Sequence, residues 1–190
     1  MTEKEKMLAG ELYNATGKEL TEERLVARSL MHKINHSLPE EDHKRQKWFA
    51  ELFGTMGKNV WIEPPFYCDY GYNIKLGKNI FINFNCCMLD VVPISIGDHT
   101  FIAPNVQFYA ATHPVDAERR SALLEYGKPI TIGEHVWIGG NVTICPGVTI
   151  GDRSVIGAGS VVTKDIPDDV VVGGNPARII RSIDNSKPTE

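Results

Sequence analysis

Residues 132–167 read IGEHVW-IGGNVT-ICPGVT-IGDRSV-IGAGSV-VTKDIP, six hexads in which an aliphatic residue returns at Ile132, Ile138, Ile144, Ile150, Ile156 and Val162. Four residues after each stands a small or β-branched side chain: Val136, Val142, Val148, Ser154, Ser160 and Ile166. A period of six does not match the 3.6 residues of a helical turn, and turn residues recur too often for ordinary long strands. It matches a chain that makes a short strand, turns and repeats, coiling into a prism with three flat sides. Each inward aliphatic then stacks on its equivalent one coil later. Gly follows the aliphatic at positions 133, 139, 151 and 157 and, with Asn and Asp, is expected to supply the sharp corners.

The register runs upstream as LGKNIF-INFNCC-M from Leu76 and IGDHTF-IAPNVQ-F from Ile96. Met88 and Ile96 are eight apart, so about two extra residues are accommodated near Asp90 to Pro93. Phe108 and Ile132 are separated by 24, a multiple of six, yet THPVDAERRSALLEYGKP carries no repeat. It reads as a loop at about 110–129 extruded from the coil, with the register resuming at Ile130 to Ile132. The coil is thus expected over 57–176.

Residues 1–56 read as a small helical cap. Thr2-x-x-Glu5 forms a capping box, Thr21 can cap a segment carrying Leu25, Arg28, Leu30, Met31 and Ile34, and Ser37-Leu-Pro39-Glu40 is a second box. A solenoid end exposes apolar side chains and backbone groups, so covering it is the cap's expected purpose. Residues 177–190 are expected to close the other end with a short basic helix or strand and a frayed tail.

With 190 residues, 42% hydrophobic and 23% charged, the chain fits one soluble globular unit. The charged N-terminus MTEKEKMLAGELY has no apolar leader region, and no apolar run approaches the roughly 20 residues of a spanning helix, so a cytoplasmic protein without membrane contact is expected. A formal charge of −4 argues against general nucleic-acid binding and requires any polyanionic ligand to be met by a local Lys and Arg cluster. Cys68, Cys86, Cys87 and Cys145 show no CxxC spacing and read as reduced thiols, not as metal ligands.

Among six histidines, His99 and His135 occupy one hexad corner, and His32, His36 and His43 lie in the cap. His113 follows Tyr109-Ala-Ala-Thr112, precedes Pro114 and stands where the loop leaves the prism, a place where rigid scaffolds present functional groups. An imidazole with a pKa near 6.5 can take a proton from an attacking hydroxyl at neutral pH.

The segments CDYGYNIKLGKN, INFNCCMLD, ATHP, KPITIG, VWIGG, CPGV, TIGD, VVTKDIPD and VVGGNPARII, with the N-terminal AGELY, together resemble the hexapeptide-repeat sugar O-acetyltransferases. These are the maltose O-acetyltransferase family, with galactoside and nodulation acetyltransferases as near relatives. The similarity runs from about Glu3 to Ile183. The resemblance implies an all-β solenoid, a left-handed parallel β-helix with a helical cap, although parallel crossovers are ordinarily right-handed. It implies transfer of an acetyl group from acetyl-CoA to a hydroxyl of a sugar such as maltose or glucose, in a homotrimer with sites between subunits. No metal is expected in catalysis.

In that family the histidine matching His113 is the catalytic base. Asn83 and Asp69 match acceptor-binding positions, and Asn14 lies in a segment that shapes the acceptor pocket, although Ala15 stands where galactoside enzymes carry an acid. Glu125 stands in the loop where it could orient His113. Gly139, Gly140 and Ala158 are expected to let pantetheine approach the backbone, with the Gly140 amide offered to a developing oxyanion. Trp137 would wall the thioester. Thr163, Lys164, Arg178 and Arg181 are expected at the phosphate and adenine end. There is no G-x-S-x-G elbow, and Cys145 sits in a structural slot, so direct transfer in a ternary complex is favoured over an acyl-enzyme. Other acceptors (a galactoside, serine or an antibiotic), a zinc enzyme of carbonic anhydrase type, or a non-catalytic scaffold remain as alternatives.

Overall fold

The computed structural model describes residues 1–184 and 186; the rest of the expected frayed tail lies outside the described residues. The chain coils into a parallel β-solenoid with three faces of five, five and seven strands. The first face stacks Thr55–Met56, Ile74–Leu76, Ile94–Ile96, Ile130–Ile132 and Thr149–Ile150. The second stacks Trp61–Ile62, Phe81–Ile82, Phe101–Ile102, Trp137–Ile138, Val155–Ile156 and Val170–Gly173, and the third runs from Phe66–Cys68 to Val161–Val162. Both inward positions of every hexad from Ile132 to Ile166 are buried. Each buried aliphatic in this column contributes on the order of 2 kcal/mol.

The coil begins at Thr55–Met56, two residues before the expected start at 57, because Met56, Ile62 and Cys68 already keep the six-residue spacing. The glycines behind the aliphatics also act differently from expectation. Gly133 and Gly139 do not have positive φ; those corners are taken by Asn79, His99, Asn105, His135, Asn141 and Arg153. Gly133 is required because a Cβ there would stand 2.2 Å from Asp152 Oδ1 and 2.8 Å from Asp152 N in the next coil.

The cap consists of α1 (Glu3–Leu8), α2 (Lys18–Asn35) and α3 (Asp42–Leu52). Thr2 and Glu5 form the expected capping box. Thr21 does not cap α2: the helix starts earlier, with Gly17 at its N-cap. The Ser37 and Glu40 box is likewise displaced, since Glu41 accepts from the Leu38 N–H at 3.0 Å while the Ser37 hydroxyl donates to the Ile34 carbonyl. Of α2, Leu20, Ala27, Leu30, Met31 and Ile34 are buried, and Leu25 is exposed.

The carboxamide of Asn35 pairs with the Phe66 backbone at 2.9 Å in both directions, so the cap occupies the open edge of the third face. Phe49, Phe53 and Phe66 pack beneath it, with ring centroids 5.5–5.9 Å apart. At the other end Arg178–Ser182 is a strand, antiparallel to Val170–Gly173.

Candidate active site

Three successive coils leave the hexad register at one corner of the prism, where the third face gives way to the first. Cys68 to Leu76 and Met88 to Ile96 each span eight residues instead of six, and Ala110 to Pro129 is the extruded loop. Because Cys68 pairs with Met88 and Ile74 with Ile94, which pairs in turn with Ile130, these irregular turns stack on one another. A regular scaffold thus concentrates its irregular backbone at one edge.

The loop has secondary structure of its own. It contains Ala111–Thr112, the short helix α4 (Ala117–Ser121) and Leu124–Gly127, and the last strand pairs antiparallel with both Ala111–Thr112 and Tyr13–Asn14 of the cap. His113 follows directly, half exposed. Its Nδ1 lies 3.0 Å from the Leu124 carbonyl oxygen, which can only accept, so in the neutral ring Nδ1 carries the proton and Nε2 the lone pair. Glu125 does not make the orienting hydrogen bond: its Oε2 is 3.8 Å from Nε2, and its Oε1 accepts from the hydroxyl of Tyr13, a wholly buried residue.

Beside this group lies a polar cleft of about 170 Å³ lined by Ala15, Arg24, Arg28, Asp69, Tyr70, Val91 and Glu125. Burial, and next the nearby Glu125 charge, push the Asp69 carboxyl up to about 6, against the opposing pull of Arg24 and Arg28. The turn bearing Asp69 rests on Asp90, whose buried carboxylate accepts from the N–H groups of Asp69 and Tyr70 at 3.0 and 2.9 Å. Burial pushes the Asp90 carboxyl up to about 7. Arg24 donates to the Tyr70 hydroxyl and the Ala15 carbonyl, each at 2.6 Å, tying α2 to the cleft. Arg24, Arg28, Tyr13 and Asp90 escape sequence reading as site residues. Only the i,i+4 spacing of the two arginines on one helix hints at a shared face.

The remaining expected residues are dispersed. The Asn14 Oδ1 accepts from the N–H and hydroxyl of Thr16 at 2.8 and 2.6 Å, and Ala15, not Asn14, lines the cleft. Asn83 lies on the second face, its Oδ1 accepting from Phe84 N at 2.8 Å, in the same stack as Trp137, which is 56% exposed. Gly139 has no room for a side chain, since a Cβ would meet Ala158 N at 2.7 Å; at Gly140 the nearest atom would be the Pro104 oxygen at 3.4 Å. Among the described residues the Gly140 N–H has no hydrogen-bond partner. Ala158, Thr163, Lys164, Arg178 and Arg181 are exposed toward the C-terminal end. Three of them, Lys164, Arg178 and Arg181, are cations, a local concentration of positive charge in a chain of formal charge −4.

A larger recess of about 600 Å³ between α3 and the first coil is lined by Asp42, His43, Gln46, Gly57, Asn59, Val60 and Trp61. It lies at the cap end, away from the corner that bears His113. The four cysteines are free, and burial raises every one of the thiols, which leaves Cys145 a poor nucleophile. Among the described residues no helix is long and apolar enough to cross a membrane.

Residues 6–57 match the maltose acetyltransferase hexapeptide capping motif, and residues 129–164 match the bacterial transferase hexapeptide of six repeats. The chain is 49% identical over 181 residues to galactoside O-acetyltransferase of Escherichia coli K12, covering 95% of this chain and 89% of that one. A maltose O-acetyltransferase structure from Clostridium difficile 630 superposes with a TM-score of 0.96 at 52% identity, covering 97% of this chain and 99% of the other. A hexapeptide-repeat acetyltransferase of Vibrio cholerae, solved with acetyl coenzyme A, gives 0.90 at 49% identity, covering 97% and 100%. Superposition at this level places the coil with the parallel β-solenoids of hexapeptide-repeat acetyltransferases.

Proposed function

We propose, for a chain that belongs to the maltose and galactoside O-acetyltransferase family of hexapeptide-repeat proteins, that it acetylates a hydroxyl of a glucosyl sugar with His113 as general base. That it is an acetyl-CoA-dependent O-acetyltransferase follows from the family; the sugar and the base are our reading. The observation that carries it is the Nδ1 of His113 held by the Leu124 carbonyl, which leaves Nε2 free beside a cleft of carboxylates and guanidinium groups suited to sugar hydroxyls.

Acetyl-CoA supplies the acetyl group as a thioester. Nε2 of His113 takes the proton of the acceptor hydroxyl as its oxygen bonds to the acetyl carbon, and the Gly140 N–H is offered to the carbonyl oxygen as charge builds there. The C–S bond then breaks, and the imidazolium returns its proton to the departing sulfur. Asp69, Glu125, Arg24 and Arg28 orient the acceptor. Lys164, Arg178 and Arg181 hold the coenzyme's anionic end, and Trp137 walls the thioester.

Assembly into a homotrimer is part of this reading. Trp61, Phe81, Phe101 and Trp137 form an outward apolar row in register along the second face, far from the His113 corner. Neighbouring subunits would cover that row and bring Asn83 and Trp137 of one chain toward His113 of another. A cytoplasmic location fits a substrate pair of this kind.

The test is thiol release from acetyl-CoA with maltose, glucose, galactosides, serine and chloramphenicol as acceptors, alongside the sedimentation mass. Glucosyl sugars are expected to give the highest kcat/KM in a trimeric enzyme. Release independent of added sugar would overturn the acceptor reading, and a monomer would overturn the shared site.

A further inference from the structure

The cap does more than cover a solenoid end: one of its strands reaches the catalytic corner. Tyr13 pairs with Glu125 across the antiparallel strands of cap and loop, and that loop strand carries both groups that face the imidazole, the Leu124 carbonyl on Nδ1 and the Glu125 carboxylate on the Nε2 side. Tyr13 is completely buried, and its hydroxyl donates to Glu125 Oε1 while Oε2 stands 3.8 Å from Nε2. That gap exceeds hydrogen-bond reach. A carboxylate free to close it would bond an Nε2 proton and occupy the lone pair that catalysis needs.

We propose that Tyr13 is a positioning residue that acts through Glu125, tethering the carboxylate short of His113 so that Nε2 stays available to the acceptor hydroxyl. The inference rests on the reading of His113 as the base. Other groups facing Glu125 are Asp69 and Tyr70 from the turn and Arg24 and Arg28 from α2, all lining the same cleft. None of them is placed on the strand that bears Tyr13, and removing the phenol hydroxyl leaves them in position. Burial first, and Glu125 second, raise the Tyr13 phenol, so it remains a donor throughout the working range.

The experiment is the pH profile of kcat/KM for the sugar acceptor at saturating acetyl-CoA. It compares wild type, Tyr13→Phe, Glu125→Ala, the double variant and His113→Ala. In Tyr13→Phe the released carboxylate holds the proton on the imidazole to higher pH. The ascending limb is expected to move up by about one pH unit, with about a tenfold loss at neutral pH that recovers in alkali and an unchanged KM for acetyl-CoA. In the Glu125→Ala background the same substitution should move nothing further.

A limb that stays in place, or an equal loss at every pH in both backgrounds, overturns the tether and marks Tyr13 as a packing residue. Full activity in His113→Ala would instead overturn the base. If Tyr13→Phe does not fold, Glu125→Gln serves: it keeps an acceptor for the Tyr13 hydroxyl but no charge, and its limb should lie below that of wild type. An unmoved limb there overturns the proposal.

Discussion

The imidazole of His113 and the carbonyl of Leu124 meet at 3.0 Å across the neck of the extruded loop, joining residues eleven apart in sequence. Main-chain oxygen cannot donate, so this contact selects one tautomer without a carboxylate partner. Replacing the ring should remove the proton acceptor and leave the coenzyme groove intact. His113→Ala is expected to lower kcat by about a hundredfold or more, with KM for acetyl-CoA little changed, in steady-state thiol-release assays. A variant that kept wild-type turnover would refute the assignment.

Gly139 and Gly140 are neighbours with opposite constraints. A methyl group at Gly139 would press on the backbone of the next coil at 2.7 Å, whereas at Gly140 the nearest contact is 3.4 Å. Gly139→Ala should lose about 1–3 kcal/mol of stability. Gly140→Ala should unfold near the wild-type temperature and show its cost in acetyl-CoA kinetics. Thermal melts of the two variants decide the matter, and equal destabilisation would contradict it.

Asp69 and Asp90 give the fold a pH dependence of definite sign. Their folded-state carboxyls lie at about 6 and about 7, above the ordinary 3.8. Each therefore contributes stability that is complete below the ordinary value and is lost as pH rises through the folded one. The unfolding temperature of wild type should fall between about pH 4 and 7, and Asp69→Asn should have a shallower fall. Melting curves across that range test this; identical slopes would refute the assignment to Asp69.

Lys164 and Arg178 are exposed cations in a chain of formal charge −4. If they meet the coenzyme's phosphates, Lys164→Ala and Arg178→Ala should each raise KM for acetyl-CoA about tenfold, more at low salt than at high salt, with kcat nearly constant. Unaltered KM values at low ionic strength would assign them to the surface alone.

The hexads made the coil legible because each inward aliphatic needs only its own sequence neighbours to declare the period. Cap boundaries were harder. Gly17 and Glu41, not Thr21 and Glu40, sit at the helix starts, and local patterns one to four residues apart compete closely for such positions. In the candidate site, the sequence singles out His113 by its place at the loop's root, and the structure puts its ring beside Leu124 and Glu125. Tyr13 and Glu125 were not visible as a pair, since 112 residues separate them and only the cap's strand brings them together. Asp90 was seen as an interruption of the repeat, but its carboxylate serves a turn twenty residues upstream.

The pairing of Asn35 with Phe66 has a counterpart at the far end, where Val161 N–H donates to the Gly174 carbonyl at 3.0 Å and the Val161 carbonyl accepts from Ala177 at 2.8 Å. Parallel rungs stacked in register have the spacing of an amyloid lattice, and such a stack ordinarily recruits further strands at its exposed margins. Here, at both margins of the third face, the chain's own polar groups stand where a further strand would add.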